Sequence, residues 1–361
     1  MSAEVVLPEL KPRCSILLRR SCAKAWEAIF LLIVSVLISK AVAQSAPQLF
    51  TLTHPAMGTV FTLYIYAASR EDADAKANPV FDEIDRLDDL LSNYKETSEL
   101  SRINRLAAAQ TVTTDPETFE FLSDSLQWSA RSDGAFDITV GELMKAWGFF
   151  RRQGRIPTGA EFAKLREETG WKKVKLDAAT RTVRFTSPGI ELDPGGIGKG
   201  FAVDKAVVVL RSEQVTAAML SAGGSTVYAL GAPPGKTGWK VEVPDPRNPK
   251  SVLSVVTLRD TSLSSANCSE KHFILNGHLY CHIMDPKTLR PVEGMLQVTV
   301  TDPSATNSDA LSNVLFVRRP EENVPLMESL PGDSALVITG TQQKATCHRM
   351  NWKAPVAPGH C

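Results

Sequence analysis

Apolar positions along this chain change period several times. Residues 49–66 (LFTLTHPAMGTVFTLYIY) alternate and are rich in Thr, Tyr and Phe. Alternation turns every second side chain to one face, so the stretch predicts strand, interrupted at 55–58. Val80, Phe81, Ile84, Leu87, Leu90 and Leu91 instead mark one face of a helix, opposite Asp82, Glu83, Asp85 and Asp88. A second helix is predicted over 116–131, with Pro116 in its first turn and Asp115 as cap. Short strands follow at 183–185 and 190–192, then a helix over about 201–211. Residues 217–230 read as strand broken by Gly223-Gly224. Residues 231–250 hold many Pro and Gly and read as loop around one strand, 239–243. Strands at 252–258, 273–275, 279–283 and 297–301, a helix over 307–317 and a strand at 335–339 finish the predicted core. Helices and strands mix without regular alternation, and no stretch repeats. The expected fold is a single α+β or mixed α/β domain.

The first residues follow another pattern. Lys11, Arg13, Arg19, Arg20 and Lys24 precede a short apolar run, IFLLIVSVLI (29–38), and then Ala41-Val42-Ala43. A basic segment, a short apolar run and small-x-small is the layout of a secretory signal peptide. The expected division is a leader at 1–43 and one domain at 44–361, exported to the periplasm. The run is shorter than the ~20 apolar residues of a spanning helix, and Glu27 argues against an uncleaved anchor.

Composition narrows the class. Of 361 residues, 43% are hydrophobic and 22% charged, which suits one large globular domain. Lys+Arg and Asp+Glu balance at 40 each, so no nucleic-acid surface is expected. Cys268, Cys281, Cys347 and Cys361 follow the leader. An exported protein can join them in disulfides, with three pairings open, and their spacing is not that of a zinc site.

The densest candidate chemistry lies at 191–206, ELDPGGIGKGFAVDKA. Gly195, Gly196, Gly198 and Gly200 surround Lys199 ahead of an apolar run. Bare backbone N–H groups at a helix start favour an anion. The stretch is neither Walker A, since Asp193 and Gly200 stand where glycine and Ser/Thr are needed, nor the dinucleotide fingerprint, since its glycines are spaced two and two. A close-packed strand-to-helix turn is the plainer reading. Other pieces are weak singly. Met57-Gly58-Thr59 could be a bulge. Tyr94 could stack on a ligand or pack. Asp137 sits in a Gly turn, GAFD. His282 and Asp285 follow a strand, where a His is more often structural. Asp309 and Asn313 share a helix face, as solvated residues or as oxygen ligands for Mg²⁺ or Ca²⁺.

Their order is more specific. Met-Gly-Thr, then S-x-Y…S-x-x-S-x-x-N, then GAFD-x-T-V-G…WGF, then D-x-G-G-I-x-K-G-x-A-V-D, GG, H-I-x-D-P and a DAL helix run from about residue 51 to 339. This arrangement resembles the ApbE family of FAD:protein FMN transferases. The resemblance implies an ApbE-like domain that cleaves FAD with Mg²⁺, joins FMN through a phosphoester to a Thr or Ser of an acceptor flavoprotein subunit, and releases AMP. Acceptors at a membrane are compatible with it. Mapped by motif, Met57 and Tyr94 would contact the flavin or adenine. Ala135, Phe136 and Asp137 would line the nucleotide. Asp193 and Lys199 would contact FAD, and Ile283 would meet it through its backbone. The Gly196 carbonyl, the Asp309 carboxylate and an oxygen of Asn313 would hold Mg²⁺, and His282 is the candidate base.

The chain also departs from the family pattern. Ser308 precedes Asp309, and Ser312-Asn313 replace the usual final pair of the DAL helix. Leu289 stands where glycine is usual after D-P-x-T, which predicts a differently built turn. SLSSANCS (262–269) replaces a T-S-G-x-Y type segment. Two other readings use the same residues: an FAD pyrophosphatase in which water replaces the hydroxyl, and a flavin-binding protein without turnover.

Overall fold

The first alternating stretch folds back on itself. β1 (Gln48–Ala56) and β2 (Thr59–Ala67) pair antiparallel as far as Ala56 and Thr59. Met57 and Gly58 form the two-residue turn, with φ of +50° and +68°. Two left-handed residues give the tight hairpin turn whose twist suits the strands. The expected interruption is therefore narrower than 55–58. Pro55 stays in β1, which lies at the sheet edge, where a missing donor is tolerated.

Six more strands extend this sheet: β3 (Ala217–Ala222), β4 (Thr226–Gly231), β5 (Thr261–Asn267), β6 (Met295–Asp302), β7 (Ser334–Gly340) and β8 (Ala345–Met350). Their order in space is their order in the chain, and every neighbouring pair is antiparallel. The break at Gly223-Gly224 is the β3–β4 turn, with φ of +62° and +76°. This computed structural model describes residues 46–150, 153–269 and 271–359. The predicted leader at 1–43 lies outside the described residues, and residues 47–361 form one unit.

Eight helices are described: α1 (Arg70–Leu91), α2 (Glu99–Leu106), α3 (Pro116–Arg131), α4 (Gly141–Ala146), α5 (Gly159–Glu168), α6 (Gly198–Ser212), α7 (Ala305–Val317) and α8 (Pro320–Glu328). α1 buries Ala73, Ala77, Val80, Phe81, Ile84, Leu87 and Leu91. With α6 and α7 it covers one face of the sheet around the main core. A hairpin of Trp239–Asp245 and Asn248–Leu258 covers the other face, with Trp352. The fold is mixed α/β, as expected. Among the described residues, no helix is long and apolar enough to cross a membrane.

Some local expectations change. Residues 190–192 form no sheet strand; Glu191 makes only an isolated bridge to Val140. The loop expected through 250 ends early, because the second hairpin strand begins at Asn248. The strand expected over 279–283 stops at Cys281. Ser262 and Ser264, in the segment that departs from the family pattern, are buried and hydrogen-bond to Ser308 at 2.9 and 2.7 Å. The serine before Asp309 is thus matched by serines on β5, which satisfy its buried hydroxyl.

The turn at Leu289 is built without glycine. Leu289 takes the left-handed conformation itself, with φ of +60°. Its N–H donates to the Asp285 carbonyl at 2.8 Å, and its carbonyl accepts from Trp147 Nε1 at 3.0 Å. Its side chain is buried with Trp147, Leu143 and Met284. Left-handed backbone costs a non-glycine residue about 1–2 kcal/mol, while losing a buried leucine side chain costs about 2–5 kcal/mol. Leu289→Gly relieves the first and incurs the second. The expected outcome is a net loss of roughly 1–3 kcal/mol, read as a lower urea midpoint with an unchanged m-value. A midpoint equal to or above the wild type would contradict this account.

Candidate active site

The glycine turn is organised from both ends by carboxylates. Asp193 precedes a single 3₁₀ turn, Pro194–Gly196, and its Oδ1 accepts from Gly195 N–H at 2.7 Å. Burial pushes the Asp193 carboxyl up, and the Gly195 N–H opposes this. The Asn93 amide nitrogen lies close enough to lower Asp193, yet it is buried without a partner of hydrogen-bond geometry. At the other end, Gly200 N–H donates to Asp309 Oδ2 at 2.9 Å. Two of the amides counted on to cradle an anion are therefore already engaged.

The glycines also answer to packing. A Cβ on Gly200 would come within 2.8 Å of Asp309 Cβ and collide with the Ala305 carbonyl, so Gly200 lets α6 meet α7. On Gly198 it would crowd Pro194 at 3.1 Å, and on Gly196 it would crowd Phe136 at 3.1 Å. The plainer reading, close packing, holds for Gly200. Gly196 and Gly198 face the cleft described next.

That cleft, about 390 Å³, brings together eleven of the twelve residues singled out above. Met57, Tyr94, Ala135, Phe136, Asp137, Asp193, Gly196, Lys199, His282, Ile283 and Asn313 all line it. Asp309 is buried behind it, one helical turn from Asn313. A separate groove of about 400 Å³ between α3, α6 and the start of α7 contains none of the twelve. Lys199 Nζ donates to Ser225 Oγ at 2.6 Å, which ties the glycine turn to the β3–β4 turn. Tyr94 is 64% exposed at the rim and stacks on Phe150, with centroids 4.4 Å apart.

Asp137 and Asp285 hold turns. Asp137 Oδ1 accepts from Thr139 N–H and Oγ1–H at 2.9 and 2.6 Å, and Oδ2 from Trp171 N–H at 2.8 Å. Burial pushes its carboxyl up, and these bonds oppose the shift. Asp285 accepts from Lys287 N–H and Thr288 Oγ1–H at 2.8 and 2.9 Å.

His282 therefore takes its orientation from elsewhere. Its Nδ1 lies 2.8 Å from the Lys271 carbonyl, and its own N–H donates to the same oxygen at 3.2 Å. A carbonyl only accepts, so Nδ1 carries the ring proton and Nε2 is left with its lone pair. Burial lowers the imidazole to about 4, helped by the positive charges of Lys271 and Lys199. Lys271 lies at the base of a hairpin, His272–Leu275 paired with His278–Cys281, closed by a Cys268–Cys281 disulfide. Cys268–Cys281 is one of the bonds that the sequence left open. Cys347 is also disulfide-bonded.

The donor set behind the cleft suits a hard cation. Asn313 Nδ2 lies 3.2 Å from the Gly196 carbonyl and 3.0 Å from the Asp309 carbonyl. Which end of an amide is oxygen is assigned from its partners. Turned over, the same amide sets a third oxygen beside two carbonyls and the Asp309 carboxylate, which is chemistry fit for Mg²⁺. Among the described residues, no group of three His, Cys, Asp or Glu could hold a metal; this set relies on carbonyl and amide oxygens instead.

Several residues here were not singled out from the sequence. Asp204, on α6, accepts from Ser304 Oγ, Ala305 N, Thr306 N and Thr306 Oγ1 at 2.6–2.9 Å. It caps α7, the helix that carries Asp309 and Asn313. Its signal was present as the last residue of D-x-G-G-I-x-K-G-x-A-V-D. Asn93, Ser225 and Lys271 carry no comparable signal.

The profile of the ApbE family matches residues 57–338 of this chain. The chain is 28% identical over 298 residues to the FAD:protein FMN transferase of Treponema pallidum, covering 78% of this chain and 82% of that protein. It is 26% identical to the enzyme of the same name from Escherichia coli K12, covering 77% and 80%. Among solved structures, the ApbE protein of Thermotoga maritima superposes with a TM-score of 0.76 at 28% identity, covering 84% of this chain and 97% of that one. The apo flavinyl transferase ApbE of Pseudomonas stutzeri gives 0.75 at 27%, covering 84% and 95%.

Proposed function

This chain belongs to the ApbE family, and we propose on that footing that it transfers FMN from FAD to a hydroxyl of an acceptor protein, releasing AMP. The observation that carries the reading is His282, neutral at Nε2, in one cleft with the glycine turn, Lys199 and an aromatic rim. The acceptor is a Thr or Ser side chain, and Mg²⁺ is required.

The chemistry follows from these groups. His282 Nε2 takes the proton of the acceptor hydroxyl as its oxygen bonds to the FMN phosphorus. The bond from that phosphorus to the bridging oxygen breaks, and the electron pair leaves on AMP. The Lys271 carbonyl, hydrogen-bonded at Nδ1, steadies the imidazolium that forms. Lys199 supplies a point charge to the phosphates. Asp309, Asn313 and the Gly196 carbonyl would hold Mg²⁺, which neutralises pyrophosphate charge when bound. Asp193 and Asp137 keep the turns that shape the cleft.

The deciding experiment mixes the enzyme with FAD, Mg²⁺ and an acceptor domain containing the Thr or Ser, followed by mass analysis. An acceptor heavier by one FMN unit, with AMP in equal amount, is expected. Free FMN and AMP with an unmodified acceptor would make the enzyme a pyrophosphatase; intact FAD would leave a binding protein.

The base also sets a pH dependence. An ordinary histidine loses its base form below about 6.5. His282 keeps it down to about 4 in the free enzyme, because burial disfavours its charged form. The acid limb of kcat/KM for FAD transfer should therefore fall near pH 4–5 rather than 6–7. The same shift has a sign for stability. Between about 6.5 and 4 the unfolded chain protonates this site while the folded one does not, so His282 makes the fold less stable as pH falls through that window. An acid limb at about 6.5 in an enzyme still folded at that pH would overturn the lowered pKa, since an ordinary histidine base gives that limb.

A further inference from the structure

We propose that Lys271 is a second phosphate-binding residue of this cleft, set against the FAD pyrophosphate by the disulfide-closed hairpin that also orients His282. The inference rests on the transferase reading and deepens it. Lys271 lines the cleft, and its charge acts on two other residues there, Asp193 and His282. It comes from a different element than Lys199, which is held on the glycine turn by Ser225. Three lysines line the cleft, and Lys95 is held by Asp88 and Asp89 at 2.6 and 2.8 Å, which leaves Lys199 and Lys271 as the cationic side chains for a pyrophosphate.

The backbone explains how a lysine on an exposed hairpin is kept in place. The Lys271 carbonyl takes both hydrogen bonds from His282, its N–H and its ring Nδ1–H. The Cys268–Cys281 bridge joins the residues on either side of the hairpin, one position before His282 and three before Lys271. Phe273 and Tyr280 anchor the hairpin further out, stacked 4.9 Å apart and packed beside Trp147 and Phe149. The two cleft residues are therefore set by one small, covalently closed unit. Its main chain serves His282, and its lysine side chain serves the phosphates.

This division makes the test clean, because Lys271→Met removes the charge and keeps the carbonyl. Binding of FAD and of riboflavin, which has no phosphate, is measured by flavin fluorescence without acceptor, on preparations of equal melting temperature. Lys271→Met should bind FAD about tenfold more weakly, the order of one charge-assisted contact, and riboflavin as the wild type does. Its FAD affinity should also lose part of its dependence on salt. Lys271→Arg should restore FAD binding. Equal FAD affinity in wild type and Lys271→Met overturns this assignment and leaves the transferase reading standing. Weakening of FAD and riboflavin alike overturns it too, since the loss would then be one of shape. A wild type that binds no FAD overturns both.

Discussion

Replacing His282 with alanine is expected to leave FAD bound and slow transfer to an acceptor by ~10²–10⁴-fold, the usual cost of a lost general base. Two facts separate the effects. The proposed phosphate and metal groups come from the glycine turn, α7 and Lys271, and the Lys271 carbonyl keeps its bond from the main-chain N–H of residue 282, so binding does not pass through the imidazole. The ring also makes its hydrogen bond to a main-chain carbonyl that stays in place. Losing that bond exposes the Lys271 carbonyl to water at the cleft, so the melting temperature should change little. FAD affinity, melting temperature and transfer rate measured on one preparation decide the matter. A stably folded His282→Ala enzyme with full transfer activity would refute the base and leave solvent as the proton acceptor.

Replacing Asp309 should have an equally large effect, with structural cost added. The carboxylate does two jobs: Oδ2 accepts from Gly200 N–H in the packed seam between α6 and α7, and the group is the one anionic candidate in the proposed Mg²⁺ set. Asp309→Ala removes both, and a buried N–H without a partner costs about 1–3 kcal/mol. Asp309→Asn keeps an acceptor for Gly200 and removes the charge. The expected pair of results is a clear fall in melting temperature for the alanine variant only, with Mg²⁺-dependent turnover lost in both. Titrating Mg²⁺ against transfer rate, with a chelator blank, reads this directly. Full turnover of either variant without added metal would end the assignment.

How legible was this protein in its sequence? Where one physical period dominated, the reading held. The apolar face of α1 was visible because six large residues recur at helical spacing, and α3 because Asp115 and Pro116 mark its start. β8 was missed because an edge strand needs few apolar residues, and ATCHRM has little alternation. The 190–192 strand was wrongly expected because three residues carry apolar character without showing whether a partner exists. The turn at Leu289 was legible only as a missing glycine. Glycine is the easy residue for left-handed backbone, but burial against Trp147 offsets the strain for leucine. The candidate site was legible only as an ordered set of motifs, eleven of whose twelve residues line one cleft. Contacts made through the main chain were not legible. Nothing in the letters around 271 says that its carbonyl holds a histidine eleven positions later.

The seam between α6 and α7 has a consequence for anyone who would rebuild this enzyme. Asp204 reaches from α6 to cap α7, Asp309 reaches back from α7 to the Gly200 amide, and Gly200 leaves no room for a side chain between them. The glycine turn and α7 lie about a hundred residues apart in the chain, yet each completes the other's hydrogen bonds. They form one interchangeable cassette. A graft carrying the GGIGKG loop into a relative or a designed scaffold without its matching DAL helix would bring an orphaned amide and an uncapped helix. Shuffling, chimera building or directed evolution on this scaffold should treat the two segments as a single inherited part.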